Sequence, residues 1–120
     1  YFYPKDNTPG CTTESCDFRD AHPDFTKLNT AIIGISKDSV KKHDNFKKKY
    51  NFPFTLASDE NATACDDYGV WKEKSMYGKT YMGIERSTFI FDAKGTLVDE
   101  IRKVKVKTHI EDVMARVKTL

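Results

Sequence analysis

Two short apolar segments, Tyr1–Tyr3 and Thr30–Ser36, flank a stretch long enough for one helix, and this arrangement limits the fold more than any other feature. Tyr1-Phe2-Tyr3 are strand formers, and Thr30-Ala31-Ile32-Ile33-Gly34-Ile35-Ser36 has the isoleucine-rich character of a buried strand. Between them, Pro4 to Gly10 cannot hold regular structure. From Cys11 onward the chain has helix-start chemistry: threonines, an early Glu14, then Phe18 on a face to be buried. A strand–helix–strand unit crosses over right-handed and lays its strands side by side. Cys11 then occupies the first turn of a helix, beyond the carboxyl end of a strand, where open α/β sheets place their sites. Unpaired N–H groups and the positive end of the helix dipole favour a thiolate there over a thiol.

The remaining segments extend the alternation. Ala21-His22-Pro23 is expected to end the first helix, leaving residues 24–30 as polar connection. A helix is predicted from Ser36 to Asn51, capped by Ser36 or Asp38, with Val40, Phe46 and Tyr50 as a sparse apolar stripe. Phe54–Ala57 reads as a strand, and Asn61 or Thr63 starts a helix through Tyr68 that Gly69 stops. Trp71 to Gly83 shows no clean period and is predicted to be a long surface loop. Ser87–Asp92 and Thr96–Val104 are two strands about the turn Ala93-Lys94-Gly95, with Asp92 and Asp99 serving turns and solubility. His109–Leu120 closes the chain as a helix with Ile110, Val113, Met114 and Val117 on one face. This order predicts one α/β domain over residues 1–120, a central mixed sheet flanked by helices. If the hairpin adds beyond Tyr1–Tyr3, that segment is the central strand. A central strand with no initiator methionine before it predicts that N-terminal elements are missing.

Charge and cysteine usage narrow the function. Twenty basic against 18 acidic residues give a net charge of +2, too small to imply nucleic acid or a membrane surface as the main partner. The Lys47–Lys49 cluster reads as the solvated face of a helix. No apolar run reaches the length of a membrane span, and no signal peptide is visible. Three cysteines with one close pair do not form a secreted disulfide framework, so a reducing, cytosol-like compartment is expected. His22, His43 and His109 lack the paired spacing of zinc ligands, and neither a metal nor a cofactor is expected. Cys65 reads as a buried structural residue. Trp71, Tyr77 and Tyr81 read as a cover for the core edge, with a substrate or partner surface as the alternative. Cys11 and Cys16 on one helix would lie roughly 8 to 9 Å apart between Cα atoms, whereas a disulfide needs less than about 7 Å. Two readings of Cys16 stay open: a bonding partner that requires the helix to unwind, or a small buried apolar residue.

Pro4-x-x-x-Thr8-x-x-Cys11 resembles the active-site signature of the peroxiredoxins, and Pro9-Gly10-Cys11-Thr12 with Cys16 is similar to their bacterioferritin-comigratory-protein, or PrxQ, subfamily. The likeness continues through Tyr68-Gly69-Val70-Trp71-Lys72-Glu73-Lys74, Tyr77-Gly78-Lys79 and Gly83-Ile84-Glu85-Arg86-Ser87-Thr88-Phe89. The resemblance implies a thioredoxin-like fold lacking some thirty to forty N-terminal residues, roughly what domain size allows. It also implies reduction of hydrogen peroxide and organic hydroperoxides. Cys11 would be the peroxidatic nucleophile and Cys16 the resolving cysteine. Thr8 would take the thiol proton or hold the peroxide, and Arg86 would sit beside the thiolate. Gly10 and Cys11 would supply backbone N–H donors, and Pro4 would shield the sulfur. Glu14 either orients Arg86 or serves as ordinary first-turn helix chemistry. The implied partners are a hydroperoxide and a thioredoxin or glutaredoxin reductant, acting on a monomer or weak dimer. The implied location is the bacterial cytoplasm, or a plastid if a transit peptide was removed. A peroxide sensor or chaperone-like interaction protein would use the same residues. A disulfide oxidoreductase fits less well, because four residues separate Cys11 from Cys16.

Overall fold

The computed structural model describes residues 1–120. Its elements run α1 (Pro9–Lys27), β1 (Ile33–Ser36), α2 (Val40–Tyr50), β2 (Thr55–Ser58), α3 (Thr63–Asp67), β3 (Trp71–Met76), β4 (Lys79–Ile84), β5 (Thr88–Phe91), β6 (Leu97–Ile101) and α4 (Val106–Val117). Strands β1 and β2 pair in parallel, while β3 with β4 and β5 with β6 form antiparallel hairpins. The Tyr1–Tyr3 segment joins two of these pairs. Phe2 bridges Ile35 in parallel on one side and Ser87 antiparallel on the other. The Phe2 N–H donates to the Ser87 carbonyl at 2.8 Å, and the Tyr3 N–H to that of Ile35 at 3.0 Å. The hairpin side thus adds beyond the segment, which is therefore central, and Cys11 follows its carboxyl end.

The period of two along this segment divides the interior. Tyr1 and Tyr3 enter the larger apolar cluster with Phe18, Phe25, Phe46, Phe54 and Val113. Phe2 enters a second cluster with Cys65, Val70 and Ile84. Gly34 is needed for close approach, since a Cβ there would lie 2.8 Å from Leu56 and 2.9 Å from the Tyr1 ring. No helix is long and apolar enough to cross a membrane.

The structure corrects several sequence expectations. Helix α1 continues through Pro23 to Lys27. The proline removes one backbone donor, but burial of Phe25 seven residues after Phe18, on the same face, holds the last turns in place. Ser39, not Ser36 or Asp38, caps α2, accepting from the Lys42 N–H. Val40 is exposed, and His43 takes the inward position beside Phe46. Residues 71–84 form a hairpin rather than a loop. Tyr77 and Gly78 both take positive φ, 52° and 76°, the two-residue turn whose twist matches paired strands. Its alternation is faint in the sequence because most side chains on both faces are exposed. Tyr77 is 96% exposed and Tyr81 is also outward, so of the three aromatic residues only Trp71 packs on a core cluster.

Candidate active site

The first turn of α1 places Cys11. Thr8 is its N-cap with extended backbone, Pro9 opens the helix, and the Thr8 side chain caps none of the first N–H groups. The Thr8 carbonyl accepts from the Thr12 N–H at 2.8 Å, while its hydroxyl donates to the Lys5 carbonyl at 2.8 Å. Its lone pairs remain available to accept a proton donor. The loop leading to this turn is braced from below. The Asp6 carboxylate takes a 2.6 Å contact from His43 Nδ1 and a hydrogen bond from the Tyr3 hydroxyl. The Asp6 N–H donates to Asp38 Oδ2 at 2.8 Å. His43 Nε2 lies 3.1 Å from the Ala57 carbonyl, which can only accept, so both ring nitrogens act as donors. Burial would lower the His43 pKa, but the hydrogen bond and charge of Asp6 outweigh it and raise the value above the ordinary 6.5.

Arg86 reaches the same turn from the segment before β5. Its Nη2 donates to Cys11 Sγ at 3.4 Å and its Nη1 to Glu14 Oε1 at 2.7 Å. Burial would lower the arginine, yet Glu14 and Cys11 together raise it. A Cβ on Gly10 would stand 3.2 Å from Nη2, so glycine makes room for the guanidinium. Glu14 is 1% exposed, and His109 Nδ1 from α4 lies 3.1 Å from its Oε2. This oxygen has no hydrogen bond of ordinary geometry. His109 Nε2 in turn lies 2.8 Å from Thr88 Oγ1. Cys11, Glu14 and Arg86 are therefore brought together, and Cys16 is not. Cys16 stays half-buried on the intact helix as a free thiol, raised mainly by burial.

The comparisons with known proteins agree with this geometry. The AhpC/TSA family model matches residues 1–100. Peroxiredoxin Bcp of Bacillus subtilis is 53% identical over 120 residues, covering 100% of this chain and 76% of its own length. The chain belongs to the AhpC/TSA family, in its Bcp/PrxQ branch. Peroxiredoxin Bcp of Xanthomonas campestris is 52% identical over 118 residues, covering 98% of this chain and 74% of the relative. The solved bacterioferritin comigratory protein of the same organism superposes with a TM-score of 0.93 at 51% identity, over 99% of this chain and 76% of that one. BcpB from Mycobacterium tuberculosis reaches 0.86 at 32% identity, over 99% and 76%. The chain has the thioredoxin-like peroxiredoxin fold and spans about three quarters of these relatives.

Beside the peroxiredoxin turn lies an open cleft of about 660 Å³, with Pro4 and Thr8 in its wall. Trp71, Met76 and Met82 give it apolar surface, and Lys37 and Lys74 give it charge. Lys74 is lowered first by burial and then by the nearby Arg86. Asp6, Asp38 and His43 bring ligand atoms within 4.8 Å of one another. These atoms are already committed to each other, to Ser36 and to the backbone.

Sequence reasoning missed the parts played by Asp6, His43 and His109. A signal was present for both histidines. His109 falls four and eight residues before Val113 and Val117, and His43 three before Phe46, so each is a polar residue on an apolar stripe. A buried polar residue of that kind needs a partner.

Proposed function

We propose that this chain is a thiol peroxidase that reduces hydrogen peroxide and organic hydroperoxides with Cys11 as nucleophile. The observation that carries this reading is the Arg86 guanidinium held between Cys11 Sγ at 3.4 Å and Glu14 Oε1 at 2.7 Å. A cation fixed by a buried carboxylate favours the thiolate and meets negative charge as it develops on the substrate. The Cys11 thiolate attacks the distal peroxide oxygen, an S–O bond forms and the O–O bond breaks. The leaving oxygen departs as alkoxide or hydroxide and takes up a proton. Sulfur is oxidised by two electrons and the hydroperoxide is reduced by two, leaving Cys11 as a sulfenic acid. Thr8 accepts a hydrogen bond from the peroxide, its own proton being engaged by Lys5. Pro4 limits access, and the N–H groups of Gly10 and Cys11 face the anion at the helix start. The apolar wall of the neighbouring cleft suits an organic group on the substrate. The Xanthomonas campestris relative is described by its alkyl peroxide reduction activity.

Cys16 then attacks the Cys11 sulfur, displacing water and forming an intramolecular disulfide. A thioredoxin- or glutaredoxin-type dithiol reopens it by exchange. We read residues 1–120 as one domain acting as a monomer or weak dimer, in the bacterial cytoplasm, where such reductants keep thiols reduced. The test is turnover with peroxide, a dithiol reductant and its reductase. Many equivalents consumed per chain, none by Cys11→Ser, and trapped sulfenic acid in Cys16→Ser are expected. A single stoichiometric oxidation would leave a peroxide sensor instead.

A further inference from the structure

The oxygen that leaves Cys11 needs a proton, and the groups nearest the sulfur are poor donors of one. Burial works to lower Arg86, but Glu14 and Cys11 outweigh it and raise it, so its guanidinium keeps its protons. The Thr8 hydroxyl already gives its proton to the Lys5 carbonyl at 2.8 Å. His43 is engaged by Asp6 and the Ala57 carbonyl, and His109 by Glu14 and Thr88.

Lys74 of β3 is placed differently. It is half-buried and lines the cleft that has Pro4 and Thr8 in its wall. Its stem lies across Gly83, where a Cβ would stand 3.1 Å from Lys74 Cδ and 3.4 Å from Cε. The same Cβ would meet the ring of Tyr81, the cross-strand partner of Lys74, at 3.3 Å. Glycine at 83 thus makes the seat for the lysine stem. Two carboxylates of this region are committed to other cations: Glu14 to Arg86 at 2.7 Å and Glu85 to Arg102 at 3.9 Å. The Lys74 ammonium is left without a salt bridge. Burial lowers its pKa first and Arg86 second, while the charges of Cys11 and Glu85 raise it, so the ammonium lies within electrostatic reach of the sulfur. A lysine eased in this direction is a better proton donor. The other cleft lysines have no such seat: Lys37 lies over the Trp71 ring at 4.4 Å, and Lys5 and Lys42 are exposed.

We propose that Lys74 is the general acid of the peroxide step. The proposal rests on the reading of Cys11 as nucleophile. As the thiolate takes the distal OH and the O–O bond breaks, the electron pair of that bond stays on the leaving oxygen. Lys74 Nζ gives this oxygen a proton, and the product departs as alcohol, or as water from hydrogen peroxide. The neutral amine then regains a proton from solvent. Sulfur loses two electrons and the hydroperoxide gains them, as before. An alkoxide is a strong base and a poor leaving group, so an alkyl hydroperoxide needs the acid. A peroxycarboxylic acid expels a carboxylate, which is stable unprotonated at neutral pH and needs none.

Stopped-flow measurement of the peroxide step on the full chain, with tert-butyl hydroperoxide and with peracetic acid, tests this. Lys74→Met is expected to slow tert-butyl hydroperoxide about 100-fold and peracetic acid less than about threefold. Lys74→Arg keeps the charge but releases no proton, so the split should persist. Lys74→Gln repeats the comparison if Lys74→Met does not fold. Lys72→Met removes an exposed charge two residues earlier on the same strand and should leave both rates unchanged. Equal slowing of the two substrates would make Lys74 only a charge that favours the thiolate, and overturns the general acid. Full recovery by Lys74→Arg, an unchanged rate with tert-butyl hydroperoxide in Lys74→Met, or the same split in Lys72→Met overturns it too. Peroxide reduction by Cys11→Ser would instead overturn the reading of Cys11 as nucleophile.

Discussion

Cys11 and Cys65 are both buried and both lie in the first turn of a helix, yet their surroundings are opposite. Cys11 faces the Arg86 guanidinium at 3.4 Å. Cys65 faces Asp59, whose carboxylate accepts from the Cys65 N–H at 2.8 Å and the Ala64 N–H at 3.2 Å. Burial, and then the hydrogen bond and charge of Asp59, push the Cys65 thiol up to about 12. One anion already occupies the N-terminal end of α3, and a second negative charge on sulfur would be repelled. At α1 the cap leaves that place open and a cation stands beside it. Burial at a helix start therefore does not make a nucleophile; the sign of the neighbouring charge decides.

The strongest way to break this contrast is to delete each thiol. Cys11→Ser should lower peroxide turnover by at least about a thousandfold, while Cys65→Ser should leave it unchanged; coupled reductant consumption measures both. Next in size is the cation. Arg86→Met should reduce the second-order rate with peroxide by about 100- to 1000-fold, measured by stopped-flow mixing. Arg86→Lys should recover only part of it, because a point charge cannot serve Cys11 and Glu14 together as a planar fork does.

Removing the anion from the other helix sharpens the comparison from its far side. Asp59→Asn should quicken alkylation of Cys65 in the folded protein and cost about 1 kcal/mol of stability through the weakened cap. Burial opposes the Asp59 charge, but donors from Cys65, Ala64 and Thr63 win and lower its pKa below the ordinary 3.8. Its stabilisation is thus present above 3.8 and lost as pH falls through the lower folded value; acid melts of wild type and variant should converge there. The smallest effect concerns the brace under the Cys11 turn. The His43 pKa is raised above 6.5, so its contribution is full below 6.5 and disappears as pH rises through the folded value. Melting temperature should show this loss as pH rises above 6.5 in wild type and not in Asp6→Asn.

The two regions also differ in how far they were legible. The Cys11 turn carries local signals: a Pro-Gly pair, threonines and an early acid after a strand. Its partner Arg86 lies 75 residues away and was reached through the motif it shares with a family, not through any local pattern. Glu14 left two readings open in the sequence, and the structure decides for contact with Arg86 and His109. The 71–84 hairpin was missed because a Tyr-Gly turn is an uncommon form of the two-residue signal and its strands bury little. The Pro23 break was overruled because Phe25 gains more from the core than the helix loses with one hydrogen bond.

By itself, the sequence determined the order of elements outside residues 71–84, the pairing of Tyr1–Tyr3 beside the Ile33–Ser36 strand and the placing of Cys11 at a helix start. Each follows from short-range periodicity, turn chemistry and chain connectivity. Only the tertiary structure decided which charge stands beside each thiol and that Glu14 lies against both Arg86 and His109. Those contacts join residues far apart in the chain, and no local preference encodes a distance between them. The same helix start became a candidate nucleophile in α1 and a protected thiol in α3 because packing brought an arginine to one and left an aspartate on the other.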